Sequence, residues 1–319
     1  MRTSLVYFLF FFPLFISAQN PLIQNGDTTV PVSKKIITLK EVIVRNGLDV
    51  PHFIERVEKD TSFYKAFKNL KILGYTALND LRMQDKNGQL TASLQSRTRQ
   101  TVNKGCRSMQ VLEEHTTGDI YDADKNWNYY TAELYAGLFF VKGTKCGENN
   151  VVGDVALNVK DKSGMDKRKE QLKMLFFNPG TKIPGIPFVG DKLAIFDDDL
   201  AAYYDYIIDM ADQDGQNCYV FTVKARPELT GSKKDQIVIN EMTTWFNSVT
   251  MEIVARNYDL SYDAGIYDFD VHMEVQMTKA GELVVPHVIR YTGNWHALFK
   301  KRERGIFTAT LFDFKPAVP

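Results

Sequence analysis

The sequence predicts an α+β protein dominated by an antiparallel sheet, and three observations carry that prediction. From Tyr75 onward the apolar residues recur with period two, stretch after stretch. Short turn sequences separate the stretches, among them Asp85–Lys86–Asn87–Gly88, Asp212–Gly215 and Lys279–Glu282. Helical spacing is confined to a segment before the first meander and another before the second. At 319 residues, with 44% apolar and 24% charged side chains, the chain is long enough to bury a sizeable core.

The N-terminus reads as an export leader, residues 1–18. Met1–Arg2 gives a basic start, and Leu5–Ile16 is an apolar run containing Phe8, Phe10, Phe11 and Phe12. Ser17–Ala18 supplies the small residues a signal peptidase needs, with Gln19 as the mature end. The run is too short and wrongly flanked for a membrane anchor, and nothing after Ala18 is long and apolar enough to span a bilayer. The chain carries 39 basic and 39 acidic residues; losing Arg2 leaves 38 against 39, a net charge of −1. Such a balance gives no reason to expect nucleic acid as a partner. The expected address is the periplasm or the outer membrane.

Residues 19–48 read as a tether with one short strand. Gln19–Lys35 is polar, carries Pro21 and Pro31 and has no apolar period, whereas Ile36–Arg45 is a β-branched run. Residues 49–316 form the folded domain. It opens with an amphipathic helix of about five turns, with Val50, Phe53, Ile54, Val57, Tyr64, Phe67 and Leu70 on one face and an interruption at Asp60–Thr61.

Strands over Tyr75–Met83, Leu90–Val102 and Cys106–Glu114 make a first meander, with Asn87–Gly88 and Asn103–Lys104–Gly105 turning the chain. Thr131–Val141 fits a helix or an apolar strand. The domain divides near 145–165, after which Met165–Phe177 reads as a helix stopped by Asn178–Pro179. Pro179–Gly190 then holds three prolines and three glycines among Ile183, Ile186, Phe188 and Val189, an apolar loop that covers something or lies at a binding mouth. The second meander runs through Tyr204–Met210, Cys218–Arg226, Gln236–Trp245, Met251–Leu260, Phe269–Met277, Leu283–Trp295 and Arg304–Phe314. Repeated short turns imply a sheet with one dry and one wetter face.

Candidate sites are few. Three cysteines, Cys106, Cys146 and Cys218, allow one bridge or three unpaired thiols, at spacings that match no metal motif. Asp122, Asp124, Asn126 and Glu133 occupy positions one, three, five and twelve of an EF-hand loop, but Trp127 stands where the sharp-turn glycine belongs. That favours an ordinary polar turn. Two acidic patches, Asp197–Asp199 with Asp205 and Asp209, and Asp259–Asp270, offer a cation site or an acid–base pair against the plainer reading of turns and solvated faces. His52, His115, His272, His287 and His296 show no metal-ligand spacing. There is no GxSxG elbow, no phosphate-binding GxxxxGK[ST] and no dinucleotide GxGxxG. No catalytic residue, metal or cofactor is implied. Lys300–Arg304 is a charge run at the last hairpin, read as a solvated edge or a head-group site.

One stretch stands apart. Phe269, Val271, Met273, Val275 and Met277 alternate faultlessly with polar residues. The stripe is either core or the lining of a site for a greasy ligand, for which methionine makes a soft wall.

A strand Cys218–Lys224, a hairpin to Ile237–Ile239, then Trp245–Phe246–Asn247–Ser248–Val249–Thr250 and Ile253–Arg256 follow in order. That series resembles the strand, Trp-aromatic-Asn turn, Thr, strand signature of periplasmic lipoprotein carriers of the outer-membrane lipoprotein-sorting class. The resemblance implies a curved antiparallel β-sheet, an unclosed half-barrel, with helices on its concave face and room between them for acyl chains. Separately, Leu39–Val44 resembles a segment of exported proteins of the Bacteroidetes kind. Two functional expectations follow. The first is a non-enzymatic protein that holds a lipid or lipoprotein acyl chain against Phe269, Val271, Met273, Val275, Met277 and the loop residues Ile183, Ile186, Phe188 and Val189. The alternative is a module that docks an envelope protein without a small ligand.

Overall fold

The period-two stretches become the strands of one large sheet in the computed structural model, which describes residues 26–153, 171, 174–183, 186, 188–265, 267–297 and 301–316. The segment expected as an export leader, the first part of the expected tether, most of the expected helix over Met165–Phe177, Pro184, Gly185 and Pro187 of the apolar stretch, and Lys300 lie outside the described residues. The first meander is β3 (Leu73–Gln84), β4 (Leu90–Asn103) and β5 (Cys106–Gly118). The second is β7 (Tyr204–Gln213), β8 (Gln216–Ala225), β9 (Ile239–Asn247), β10 (Ile253–Asp263), β11 (Tyr267–Ala280), β12 (Leu283–Ala297) and β13 (Glu303–Pro316).

The two meanders are joined through β13, which pairs antiparallel with β12 on one side and with β3 on the other, Phe307 opposite Leu81. Two short flanking elements complete the sheet. β1 (Thr28–Val32) and β2 (Lys35–Leu39) form a hairpin whose second strand runs parallel to β7, and β6 (Thr144–Cys146) pairs with the start of β5. The spatial order β1-β2-β7-β8-β9-β10-β11-β12-β13-β3-β4-β5-β6 leaves β1 and β6 as free edges. The sheet is therefore curved and mostly antiparallel, with few helices, and it does not close: the expected half-barrel.

Local chemistry explains the departures. Residues 28–32, expected in the tether, are an edge strand; Pro31 fits there because an edge position needs no ladder N–H. The β-branched run Ile36–Arg45 is strand only to Leu39. It then becomes α1 (Glu41–Asn46), because Ile43 alone turns inward while Val42 and Val44 stay exposed. The long helix is two: α2 (Val50–Glu58), capped by the Asp49 carboxylate on the His52 N–H, and α3 (Ser62–Asn69). Asp60 sits in the break and accepts from Ser62 N (3.1 Å) and Oγ (2.9 Å).

Thr131–Val141 resolves as α4 (Tyr130–Phe139). The Glu303 carboxylate accepts the Tyr130 and Thr131 N–H groups at 2.9 and 2.7 Å, so one member of the charge run caps a helix. Arg302 of the same run pairs with Asp268. The Lys104–Gly105 turn has positive φ at both residues, but at Asn87–Gly88 only Gly88 does. There the Asp85 carboxylate ties the loop by accepting from Asn87 N and Gln89 N.

Candidate functional site

Strand alternation divides the sheet into a wet convex face and a dry concave face. On β11, Phe269, Val271, Met273, Val275 and Met277 are all buried, while Asp270, His272, Glu274 and Gln276 face outward. Flanking strands extend the dry face in register, with Tyr258 and Leu260 opposite Met273 and Val271 from β10, and Ile289 and Tyr291 opposite Val275 and Met273 from β12.

What lies over this face is only partly regular. α3 packs across β12 and β10, and its Phe67 stacks on Phe177 at 4.1 Å. Residues 174–177 are helical, and the Tyr258 hydroxyl donates to the Phe176 carbonyl at 2.6 Å while lying 2.7 Å from Met273 Sδ. Phe176 also meets Tyr291 edge-on at 5.4 Å. From Asn178 to Gly190 the described residues form no regular element. Ile183 N donates to the Gly190 carbonyl at 3.1 Å, and Gly190 N donates to that of Ile186 at 3.2 Å. A Cβ on Gly190 would stand 2.2 Å from the Ile183 carbonyl oxygen, so only glycine permits this closure.

Seven of the nine sequence-predicted residues are buried members of the large core cluster: the five of the stripe, and Ile183 and Val189. Ile186 is half-buried, and Phe188 turns away with 62% of its surface exposed. Two hollows among the described residues are lined by none of the nine. One, about 490 Å³, lies between the edge hairpin, α2 and Phe196–Asp199, and is lined by Lys35, Glu55, Glu58 and Asp197–Asp199. The other, about 350 Å³, lies across β13, β3, β4 and β5 beside Leu78, Arg97, Glu113 and His115. In this conformation the stripe is part of the buried core.

The remaining candidates are accounted for locally. Asp122 accepts from the N–H groups of Asp124 (2.9 Å) and Asn126 (2.8 Å), an ordinary Asx turn. Asp198 pairs with Lys34, Asp205 with Arg226, and Asp259 with His272. Among the described residues no group of three or more His, Cys, Asp or Glu is placed to hold a metal ion. Cys106 and Cys146 form a disulfide between β5 and β6, and Cys218 is a buried free thiol whose pKa is pushed up by burial.

Sequence reasoning singled out no charge on the concave face, yet one is there. Arg256 of β10 shares the inward parity of Tyr258 and Leu260 and is 5% exposed. Its parity within β10 was the available signal. Its Nε donates to Thr244 Oγ1 at 2.9 Å, and its guanidinium carbon sits 4.6 Å from the Phe63 ring centroid.

No family model matches the chain, and no curated protein matches it. Among solved structures it is similar to a DUF1329 family protein from Desulfovibrio piger, with TM-score 0.28, 10% identity, and coverage of 82% of this chain and 93% of that one. A second likeness is to a domain from Vibrio parahaemolyticus described as an outer membrane lipoprotein-sorting protein, with TM-score 0.26, 8% identity, and coverage of 81% and 92%. A third is to a LolA superfamily protein from Nitrosomonas europaea, with TM-score 0.23, 8% identity, and coverage of 82% and 95%. All three scores lie below 0.5, so the architecture rests on strand order and register.

Proposed function

We propose that the protein is exported and, without catalysis, holds a lipid or a lipoprotein acyl chain against the concave face. The ligand lies between Phe269, Val271, Met273, Val275 and Met277 and the segment carrying Ile183, Ile186, Phe188 and Val189. One observation supports the reading: a continuous apolar stripe on the one sheet of the described residues faces short helices, α3 and residues 174–177, and no second sheet among those residues. Contacts of that kind are non-directional, so a hydrocarbon chain can replace them, each CH₂ contributing roughly 0.8 kcal/mol on leaving water. Met273 and Met277 suit a wall that adapts to its guest. Ligand entry then requires the cover to move aside, and Phe188, already outside, marks its rim. Export is supported by the leader and by the Cys106–Cys146 bridge, a bond suited to an oxidising compartment.

The test is extraction and native mass spectrometry of protein purified from its own envelope. Acyl chains that co-purify at near one per protein are the expected result; protein that emerges free of lipid and does not take up added palmitate overturns the reading. A second reading, a docking module, is favoured by the edge of β5. Among the described residues β6 pairs with Cys106–Ser108 alone and no strand pairs with residues 109–118 on that side, an edge that an added strand could take. An envelope protein that co-purifies with a lipid-free core selects that alternative.

A further inference from the structure

We propose that Arg256 anchors an anionic head group, a carboxylate or a phosphate, of the ligand in the concavity; this rests on the apolar-ligand reading above. A guanidinium carries five N–H donors in a planar fork and stays charged in a protein. Burying one is tolerated when acceptors satisfy that fork.

Arg107 shows how this same chain does so. Its Nε and an Nη meet the Glu148 carboxylate, and its other Nη donates to Gln100 Oε1 at 3.1 Å. Arg256 is more deeply buried and has less. Its one hydrogen bond among the described residues is the Nε contact with Thr244. The nearest carboxylate, Asp60, holds an oxygen 3.8 Å from an Nη, beyond hydrogen-bonding distance, and both Asp60 oxygens are already engaged by Ser62. Neither Nη group makes a hydrogen bond to a described residue; the guanidinium has the longer Asp60 ion pair and the Phe63 ring as its other neighbours. Burial accordingly pushes the Arg256 pKa down, and the Asp60 charge only partly opposes it.

The position of this unmet fork is what assigns a ligand to it. Arg256 lies directly opposite Val275, a member of the apolar stripe, on the neighbouring strand and on the same face. Adjacent strands are about 4.8 Å apart. An amphiphile whose chain runs from Val275 along Met273, Val271 and Phe269 thus places its head at the guanidinium. A carboxylate or phosphate there makes the bidentate, charge-assisted pair that no described residue supplies.

The experiment compares palmitate, palmitoyl lysophosphatidate and the uncharged methyl palmitate by calorimetry at neutral pH. The proteins are the wild type and the double variant Arg256→Met/Asp60→Asn, which leaves no charge unpaired. The wild type is expected to bind at least one of the charged probes about tenfold more tightly than the ester, the scale of one charge-assisted hydrogen bond. In the variant the gap should shrink to within about twofold while all three probes still bind. The probe that shows the gap identifies the head as carboxylate or phosphate. Equal affinity for charged and uncharged probes in the wild type overturns the Arg256 assignment and leaves the apolar-ligand reading standing. A gap that persists in the variant overturns it as well. Failure of every probe to bind removes both. Should the double variant not fold, Arg256→Lys replaces it: charge without the fork should reduce the gap at least about threefold, and an unchanged gap overturns the proposal.

Discussion

The two halves of the concave face are held to their surroundings by opposite means. Over β9–β12 most contacts are apolar and aromatic, and the directional bonds are the Tyr258 hydroxyl to the Phe176 carbonyl, Arg256 to Thr244, and Asn69 to the Val284 carbonyl. Across β3–β6 direction dominates. Asn79 donates to Ser96 and Thr98 at 3.3 and 3.2 Å, Gln100 donates to the Leu70 and Leu73 carbonyls at 2.7 Å each, Glu148 bridges Arg107 and Lys71, and a disulfide fastens the edge. The difference separates a frame from a replaceable filling. Hydrogen bonds and a covalent link fix geometry, whereas apolar contact asks only for a surface of suitable shape.

The sharpest way to break the β9–β12 half is a buried charge without a partner. Val271 is fully buried, opposite Leu260 and Gly293. Val271→Glu is expected to lower stability by ~4 kcal/mol or more, as an unpaired buried carboxylate does. Urea unfolding monitored by tryptophan fluorescence measures it. Val275→Glu is equally buried but faces Arg256 in register, so its carboxylate meets a guanidinium. It should therefore be milder than Val271→Glu by ~1–3 kcal/mol. Equal losses at the two positions contradict the claim that Arg256 has donors to spare.

On the opposite half, Cys106→Ser/Cys146→Ser opens a link spanning 40 residues. The expected loss is ~2–4 kcal/mol, read as a lower urea midpoint. Because the frame and the filling are held independently, palmitate affinity measured well below that midpoint should not change. A comparable fall in affinity would merge the two halves into one unit.

How much of this was legible in the sequence depends on how local each cause is. β11 could be read because alternation and the Lys279–Glu282 turn are properties of consecutive residues. α4 was ambiguous, since Ala132, Leu134 and Tyr135 are buried while Leu138 and Phe139 still pack on the core, which blurs the period. The β1 hairpin was hidden because an edge strand needs few apolar side chains. The β13–β3 pairing joins residues more than 200 apart, and nothing local announces it. Of the site, the stripe was visible as a pattern. Arg256 was not, because its meaning comes from what surrounds it and not from its spacing.

Acid should test the frame selectively. Burial raises the Glu148 carboxyl, but hydrogen bonds and charge from Arg107 and Lys71 outweigh it and hold the pKa at about 2. A folded value below the unfolded one stabilises the protein above about pH 4.5, and that contribution disappears as pH falls from there through about 2. Glu148→Gln should cost ~1–3 kcal/mol at pH 7, discounted toward the lower figure because about a quarter of the side chain is exposed. Its stability should also depend less on pH between 4.5 and 2 than that of the wild type. An unchanged acid profile in the variant removes Glu148 from the frame.

The smallest effect belongs to the convex face, behind the stripe. There Glu241 and Asp259 stand directly opposite each other across β9 and β10, a like-charge pair that destabilises a sheet. His272 lies beside them, 2.7 Å from Asp259 and 3.2 Å from Glu274. Burial lowers its pKa, but the two carboxylates raise it further, so the net shift is upward from 6.5. The stabilisation is therefore complete below about pH 6.5 and is lost as pH rises through the folded value. With 44% of the His272 side chain exposed, solvent screening keeps the effect below ~1 kcal/mol. Comparing urea midpoints at pH 5.5 and 8.5 for the wild type and His272→Gln measures it, with the wild type alone expected to lose stability on the alkaline side. Palmitate affinity should stay the same across that range, because His272 points away from the apolar stripe on its own strand. An affinity that followed the His272 titration would mean that the two faces of β11 are coupled.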